Sequence, residues 1–253
     1  MNKDIYTSAS GGLVANRRIE ILSNNLANVS TVGFKAQRLI SRAQSFDETL
    51  ANALSNMPQN AAANFERAPG VINVGTSTDF SPGPIAETGN GLDVALRTPN
   101  HFFAIQTPDG EAYTRAGNFA LNADGTLVTQ DGLPVSGEGG AISIGQATQP
   151  QILANGNVIA AGQIVGRLKT VAIDNLESLS RIGSTRFKIS GNGRATAVEA
   201  DVVPHSLEMP NVSVIEAMVE MISAQRAFEA YTKTVREIDD LNDRAIRSAA
   251  TRV

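Results

Sequence analysis

The sequence predicts an α+β subunit: a central all-β domain with long N- and C-terminal α-helices that pack as a coiled-coil-like core. Residues 2–27 and 213–249 carry apolar side chains at helical spacing and are rich in Asn, Gln, Ala and Met. Residues 70–204 consist of short apolar runs separated by glycine-containing turns. The predicted organisation is a helical segment at 1–60, a β domain with linkers at 61–207 and a C-terminal helix at 208–253.

A narrow apolar stripe predicts the N-terminal helix. Residues recur on it every seven positions, which is the spacing of a coiled-coil seam. The helix is expected to end within residues 24–33, where asparagines, β-branched residues and a glycine disfavour helix. The residues of the stripe are Ile5, Gly12, Ile19 and Leu26.

A second helix is predicted after this break. Apolar residues recur there at intervals of three and four, and Pro58 would end the pattern. Residues 56–70 are predicted to form a linker. The apolar residues of this second helix are Leu39, Ala43, Phe46, Leu50 and Leu54.

Turn signals at regular spacing predict the β domain. Asp-Gly and Asn-Gly pairs supply the positive φ that tight hairpin turns need, and they begin at Asp109, Asp124, Asp131, Asn155 and Asn192. Such a series is typical of a sandwich or barrel. The apolar runs predict strands within 92–96, 102–106, 112–115, 126–129, 166–173 and 184–190.

A capping motif predicts where the C-terminal helix begins. Ser213 and Glu216 have the spacing of a capping box, in which each side chain accepts a hydrogen bond from a backbone N–H in the other residue's turn. Pro210 disfavours helix before that point. The apolar seam of this helix is predicted to follow three–four spacing through Val214, Met218, Met221, Gln225, Phe228, Thr232 and Val235.

Composition argues against nucleic-acid and membrane partners. The net charge is −4 and the pI is near 5.3, so no basic field attracts an anionic partner. No apolar run approaches the roughly 20 residues of a membrane span. The N-terminus also lacks the apolar core of a secretory signal. We therefore expect no nucleic-acid partner, no membrane insertion and no cleaved signal peptide.

The sequence carries no residue pattern typical of catalysis, a cofactor or a metal. It has no cysteine, and its two histidines, His101 and His205, lie far apart without metal-ligand spacing around them. It contains no phosphate-binding loop, and the Asp-Gly pairs lack the alternating ligands of a calcium loop. We expect a structural protein that is not an enzyme and has no cofactor.

Segments at both ends and in the middle resemble the bacterial flagellar rod and hook axial proteins. The N-terminal motif runs from Asn24 to Lys35 as NNLANVSTVGFK, although Val32 stands where many relatives have proline. The C-terminal motif begins at Asn211 and continues from Met221 to Ala230 as MISAQRAFEA. Within the family the chain is most similar to proximal-rod members. Central segments with the same resemblance are 92–96, 102–105 and 113–119.

This resemblance implies a structural subunit of the basal-body rod, the drive shaft that crosses the periplasm. It implies head-to-tail assembly with copies of itself and with other rod subunits, after passage through the flagellar type III export apparatus. The terminal helices would form the inner core and the β domain would face outward. The residues expected at the assembly interface are Ile5, Leu13, Ile19, Leu22, Asn25, Leu26, Asn28, Gly33, Phe34, Asn211, Met218, Met221, Ile222, Gln225, Arg226 and Phe228.

Other interpretations stay open at this point. A distal rod protein or another hook–basal body protein would share these motifs. A carbohydrate-binding or wall-hydrolysing β protein would need two carboxylates, for which Asp93, Glu111 and Glu138 are available. An adhesin would need a signal peptide. The two terminal helices would also satisfy the pattern if they packed only against each other within one monomer.

Overall fold

The computed structural model describes residues 2–44, 70–145 and 150–250 and has the α+β organisation expected from the sequence. An N-terminal helix and a C-terminal helix flank a mostly β region along the chain. Among the described residues, no helix is long and apolar enough to cross a membrane. The chain divides into two compact units. One contains both helices and nearly all of the first two strands, and the other, which we name the β unit, contains residues 27–36 and 78–213.

The two helices begin and end close to their predicted positions. Helix α1 is Asn2–Ala27 and helix α2 is Val214–Ala250. Since α2 starts directly after Ser213, that residue occupies the N-cap position that the capping motif predicted. On the exposed side of α2, Lys233 and Glu237 form an ion pair at 3.8 Å, one helical turn apart.

The strands of the described part are short and occur in a regular series. Each predicted strand region contains a strand, but two of them are shortened to two or three residues and the region 166–173 is divided between two strands of different sheets. A 3₁₀ turn at Leu176–Ser178 begins after Asn175, whose side chain accepts a hydrogen bond from the Glu177 N–H. The strands are β1 Gln37–Gln44, β2 Gly70–Thr78, β3 Ile85–Glu87, β4 Val94–Leu96, β5 His101–Thr107, β6 Gly110–Thr114, β7 Ala120–Leu121, β8 Leu127–Val128, β9 Ser136–Gly137, β10 Gly140–Ala141, β11 Gln151–Ile152, β12 Asn157–Ala160, β13 Gln163–Arg167, β14 Thr170–Ile173, β15 Leu179–Arg181, β16 Arg186–Ile189, β17 Ala195–Val198, β18 Val202–Pro204 and β19 Ser206–Glu208.

A six-stranded antiparallel sheet forms the centre of the β unit, in the order β15-β16-β6-β5-β14-β17. Its two faces are covered by different apolar clusters. On β5, Phe102 packs with Val171 and Phe187, whereas its neighbour Phe103 packs with Phe119 in the other cluster. Because both faces of β5 are buried, its sequence is a continuous apolar run instead of an alternating one.

The last strands of the β unit return to its first strands. Strand β18 pairs with β4, and β19 pairs with β3, both antiparallel. The register places Glu208 opposite Ile85. The chain that leads into α2 is therefore bonded to the start of the β unit.

The helix predicted from Leu39 to Leu54 is wrong over its first part. Residues Gln37–Gln44 form β1, which pairs with β2 in a two-stranded sheet. Positions four apart share a face in a helix and also in a strand, so the spacing did not distinguish the two. The rest of that predicted helix and nearly all of the predicted linker fall on 45–69, outside the described residues.

Candidate assembly interface

Alanines alternate with larger apolar residues along the face of α2 that is covered in the subunit. Ala217 and Ala224 are buried, and Met221 and Phe228 are half-buried. The four follow the three–four spacing of a helix seam. The covered face therefore has Ala217 next to the position where Met218 was predicted, and it shares Met221 and Phe228 with the predicted seam.

The opposite face of α2 carries an exposed apolar stripe. Ile215, Met218, Val219 and Ile222 share this face because a helix turns once every 3.6 residues. Each is between 48% and 78% exposed. We name these four residues the α2 stripe. Met218, which was predicted on the apolar seam, is exposed in the single subunit, and the alanines hold the covered position beside it.

Helices α1 and α2 contact each other within one molecule. Gly11 faces the ring of Tyr231 so closely that a Cβ on Gly11 would lie 2.6 Å from two ring carbons. Further along, an Arg18 Nη atom lies 3.2 Å from a Glu220 carboxylate oxygen. Since the partner's number falls as the α1 number rises, the helices run antiparallel. This pairing leaves the α2 stripe uncovered.

An asparagine side chain secures the end of α1. The Asn25 amide donates to the Gln37 carbonyl at 2.8 Å and accepts from the Gln37 N–H at 2.9 Å. It is buried, so both its polar atoms are paired as burial requires. Because these residues flank the segment 27–36, the amide holds the two ends of that segment together.

The segment 27–36, which we name the motif loop, packs into the β unit. Gly33 has φ +68° and a Cβ there would lie 2.4 Å from the Ala116 nitrogen, so only glycine fits. Phe34 is fully buried, with the Arg181 guanidinium 4.8 Å from its ring centre. The same guanidinium lies over Phe187 and donates to the Lys35 carbonyl. These contacts fix the motif loop on the subunit's own β unit.

A buried ion cluster lies beside the motif loop. Lys35 Nζ is 2.7 Å from Glu208 Oε1 and donates to the Ser81 carbonyl at 2.7 Å. Arg115 Nε donates to Glu208 Oε2 at 2.7 Å. The side chains of Lys35, Arg115 and Glu208 are each about 1% exposed. One carboxylate therefore serves two buried cations.

Burial lowers the pKa of the cations in this region. Desolvation lowers the pKa of Lys35 below 10.5 and outweighs the opposing attraction of Glu208. Desolvation likewise lowers the pKa of Arg115, and it lowers the pKa of Arg181 to about 10. Holding these charges here costs desolvation free energy, which the ion pairs and hydrogen bonds of the cluster oppose.

Comparisons with known proteins point to one family. Protein-family models match the flagella basal body rod protein at 5–35, the flagellar hook protein FlgE/F/G D1 domain at 98–163 and the flagellar basal body rod FlgEFG protein C-terminal at 203–248. The flagellar basal-body rod protein FlgF of Caulobacter vibrioides is 30% identical over 249 residues, covering 97% of each chain. This chain belongs to the flagellar basal-body rod protein family. FlgG of Bacillus subtilis is 34% identical over 95% of this chain and 97% of its own, and FlgF of Salmonella typhimurium is 31% identical over 97% of both.

Membership in this family establishes a structural subunit of the flagellar basal-body rod. The resemblance to the rod and hook axial proteins, and among them to the proximal-rod type, is confirmed by these matches. The families that match are structural families and not enzyme families. Among the described residues, no three His, Asp or Glu side chains are grouped as metal ligands would be.

The structure separates the predicted interface residues into three groups. Leu22, Asn25, Gly33 and Phe34 are buried within the subunit, where they serve its own fold. Contact of any of the predicted residues with another subunit stays a prediction, and the side chain of Ile5 lies outside the described part. Half-buried residues are Ile19, Leu26, Asn28, Asn211, Met221 and Phe228, and exposed residues are Leu13, Met218, Ile222, Gln225 and Arg226.

The ion cluster is the main feature that sequence reasoning missed. Lys35 lies in the first family match, Arg115 in the second and Glu208 in the third. A weak signal was present, because Arg115 follows a buried strand and Lys35 follows a buried phenylalanine. Charged side chains are almost never fully buried unless they are paired, so a buried position for either residue would have implied a partner. Ile215 and Val219 of the α2 stripe were also missed.

Proposed function

We propose that this chain is a proximal-rod subunit of the periplasmic drive shaft, which joins head to tail with copies of itself and with other axial proteins. The helices of segments 1–60 and 208–253 form a coiled-coil-like inner core, and the β domain at 61–207 faces outward. The flagellar export apparatus delivers the chain to the rod. A distal-rod or other hook–basal body position is the second candidate, because relatives named FlgF and FlgG match at similar identity.

The observation that carries this proposal is the α2 stripe. Pairing of α1 with α2 inside one molecule covers the opposite face of α2 and leaves these four apolar side chains in water. Leu13 of α1 is also exposed, at 71%. Helices that had to pack only with each other would not need a second apolar face. A contact that does not close on itself would extend such subunits into a helical array.

Covering the α2 stripe contributes a favourable free energy to contact between subunits. Full burial of an aliphatic side chain contributes about 1.5–3 kcal/mol. The exposed fractions of the four residues together equal a little more than two whole side chains. Covering the stripe therefore contributes about 4–7 kcal/mol per copy before the cost of association.

A charge on the α2 stripe tests the proposal. Val219→Asp places a carboxylate in the proposed contact, whereas Thr234→Asp places one at an exposed position of the same helix, more than three turns beyond the stripe. Both variants are expressed in cells that lack the wild-type gene. We expect Val219→Asp to abolish incorporation into isolated basal bodies, with motility lost as a result, and Thr234→Asp to be incorporated.

The soluble variants are compared by circular dichroism, so that a folding defect is recognised. Equal incorporation of a folded Val219→Asp chain would show that the α2 stripe is not an assembly contact. Wild-type motility in cells without the gene would contradict a role in the rod itself.

A further inference from the structure

Three bonds join the motif loop to the chain segment that precedes α2, and three others join it to Asp79, Ser81 and Arg181. The Gly33 N–H donates to the Glu208 carbonyl at 2.8 Å, and the Ala36 N–H donates to Asn211 Oδ1 at 2.7 Å. Lys35 adds its ion pair with the Glu208 side chain. Residues far apart in sequence thus form one contact surface inside the β unit. We name residues 206–211 the return segment.

The second carboxylate oxygen of Glu208 extends this contact to the sheet. It accepts from Arg115, whose guanidinium also donates to the carbonyls of Thr98 and His101 at 2.7 Å each. Arg115 therefore closes the bend between β4 and β5. The Glu208 carboxylate therefore bonds both Lys35 of the motif loop and Arg115, the residue that holds this bend.

The cluster contains two positive charges and one negative charge, so removing different members has different consequences. Two buried cations share one buried anion. Removing Lys35 leaves Arg115 and Glu208 as a neutral pair, whereas removing the charge of Glu208 leaves two buried cations facing each other. Removing one partner of a buried pair is far more damaging than replacing the whole pair, because the remaining charge is left uncompensated.

We propose that Glu208 is a positioning residue that makes docking of the motif loop conditional on the return segment. The chain that leaves α1 and the chain that enters α2 are then held on the β unit together, or both are released. Asn211 strengthens the same dependence, because its amide nitrogen donates to the Asp79 and Ser81 carbonyls while its oxygen holds Ala36. The inference concerns the single chain and does not rest on assembly into a rod.

Hydrogen–deuterium exchange of the unassembled full-length chain tests this proposal. Glu208→Gln removes only a charge and keeps the shape, and Lys35→Met removes the cation of the motif loop. Glu111→Gln is the matched control, since it makes the same chemical change at the partner of Lys169, in a partly exposed ion pair that lies outside the segments compared below. Segmental exchange reports local opening separately from global unfolding.

We expect Glu208→Gln to raise exchange about tenfold or more in residues 31–36 and also in residues 96–101. Lys35→Met should raise exchange in residues 31–36 alone, and Glu111→Gln should raise it in neither segment. A merely structural defect would instead raise exchange uniformly, including in the central strand β5. A uniform increase in hydrogen–deuterium exchange, or an increase confined to the return segment, would overturn the proposal.

A second variant keeps the test decisive if Glu208→Gln does not fold. Asn211→Ala removes the side-chain bond from the return segment to Ala36 without leaving a buried charge. We expect faster exchange in residues 33–36, although the substituted residue is far away in sequence. Unchanged protection of the motif loop in a folded Asn211→Ala chain would show that its docking does not depend on the return segment.

Discussion

Adjacent glycines in α1 provide a matched pair of substitutions that tests the contact between the two helices. A Cβ on Gly11 would lie 2.6 Å from Tyr231 Cε1 and Cζ, far inside van der Waals contact. A Cβ on Gly12 would lie 3.7 Å from the Tyr231 Cβ, which is an ordinary contact. Both glycines are buried in the same helix. The two alanine variants therefore differ mainly in the obstacle that they meet.

The expected changes in the stability of the two alanine variants follow from helix propensity and from packing. Alanine stabilises a helix interior by about 0.8–1 kcal/mol relative to glycine, and this gain applies at both positions. At Gly11 the added methyl group must displace the Tyr231 ring, and overpacking of this kind costs about 1–3 kcal/mol. We expect Gly12→Ala to be more stable than wild type by about 1 kcal/mol. Gly11→Ala should be less stable than Gly12→Ala by about 1–3 kcal/mol.

Thermal unfolding followed by circular dichroism at a helix-sensitive wavelength measures this difference in the full-length chain. The Tyr231→Ala background supplies the control, because it removes the ring that Gly11→Ala would displace. In that background both alanines should stabilise the helices equally. An equal gain from both alanines in the presence of Tyr231 would refute the antiparallel packing described for α1 and α2.

Two further predictions concern the β unit. Gly33→Ala should destabilise the β unit by about 1–3 kcal/mol, since the new Cβ meets both an unfavourable φ and the Ala116 backbone. Gly89→Ala, with φ +76° and open space around it, should cost only the conformational strain of about 1 kcal/mol. Equal losses of unfolding free energy in chemical denaturation would contradict the close approach of Gly33 to Ala116. Burial lowers the pKa of Lys35 below 10.5, so the native chain binds fewer protons than the unfolded chain between the lowered pKa and 10.5, and stability should rise with pH across that window. The stability of wild type relative to Lys35→Met should therefore increase as the pH approaches 10.5, and a difference that does not change with pH would contradict the lowered pKa.

The helices were predictable because their signals are local. A long three–four repeat and a cap at Ser213 depend only on nearby residues, and α1 and α2 begin and end within a residue of the predicted positions. Strand β1 was mistaken for helix because its pairing with β2 joins segments separated by 25 residues of the chain outside the described part. Tertiary pairing of that kind overrides local spacing.

The presence of an apolar face on α2 was predictable, but the residues that form each face and the ion cluster were not. Met218 was assigned to the apolar seam of α2, but in the single subunit Ala217 and Ala224 occupy the covered face and Met218 is exposed. Apolar spacing identifies a helix face only to within a residue or so, and here two apolar faces lie on one helix. The pairing of Lys35 with Glu208 joins residues 173 positions apart, which spacing along one chain does not predict.

Protection of a single thiol tests most directly whether the terminal helices hold subunits together. The chain has no cysteine, so Ile222→Cys introduces a unique thiol on the α2 stripe, and Glu177→Cys introduces one on the exposed surface of the β unit. Both chains are treated with a maleimide as free subunits and in purified basal bodies. We expect Cys at position 222 to react in the free subunit and to be protected after assembly, with the control thiol reactive in both states. Full reactivity at position 222 in assembled basal bodies would contradict the proposed inner core.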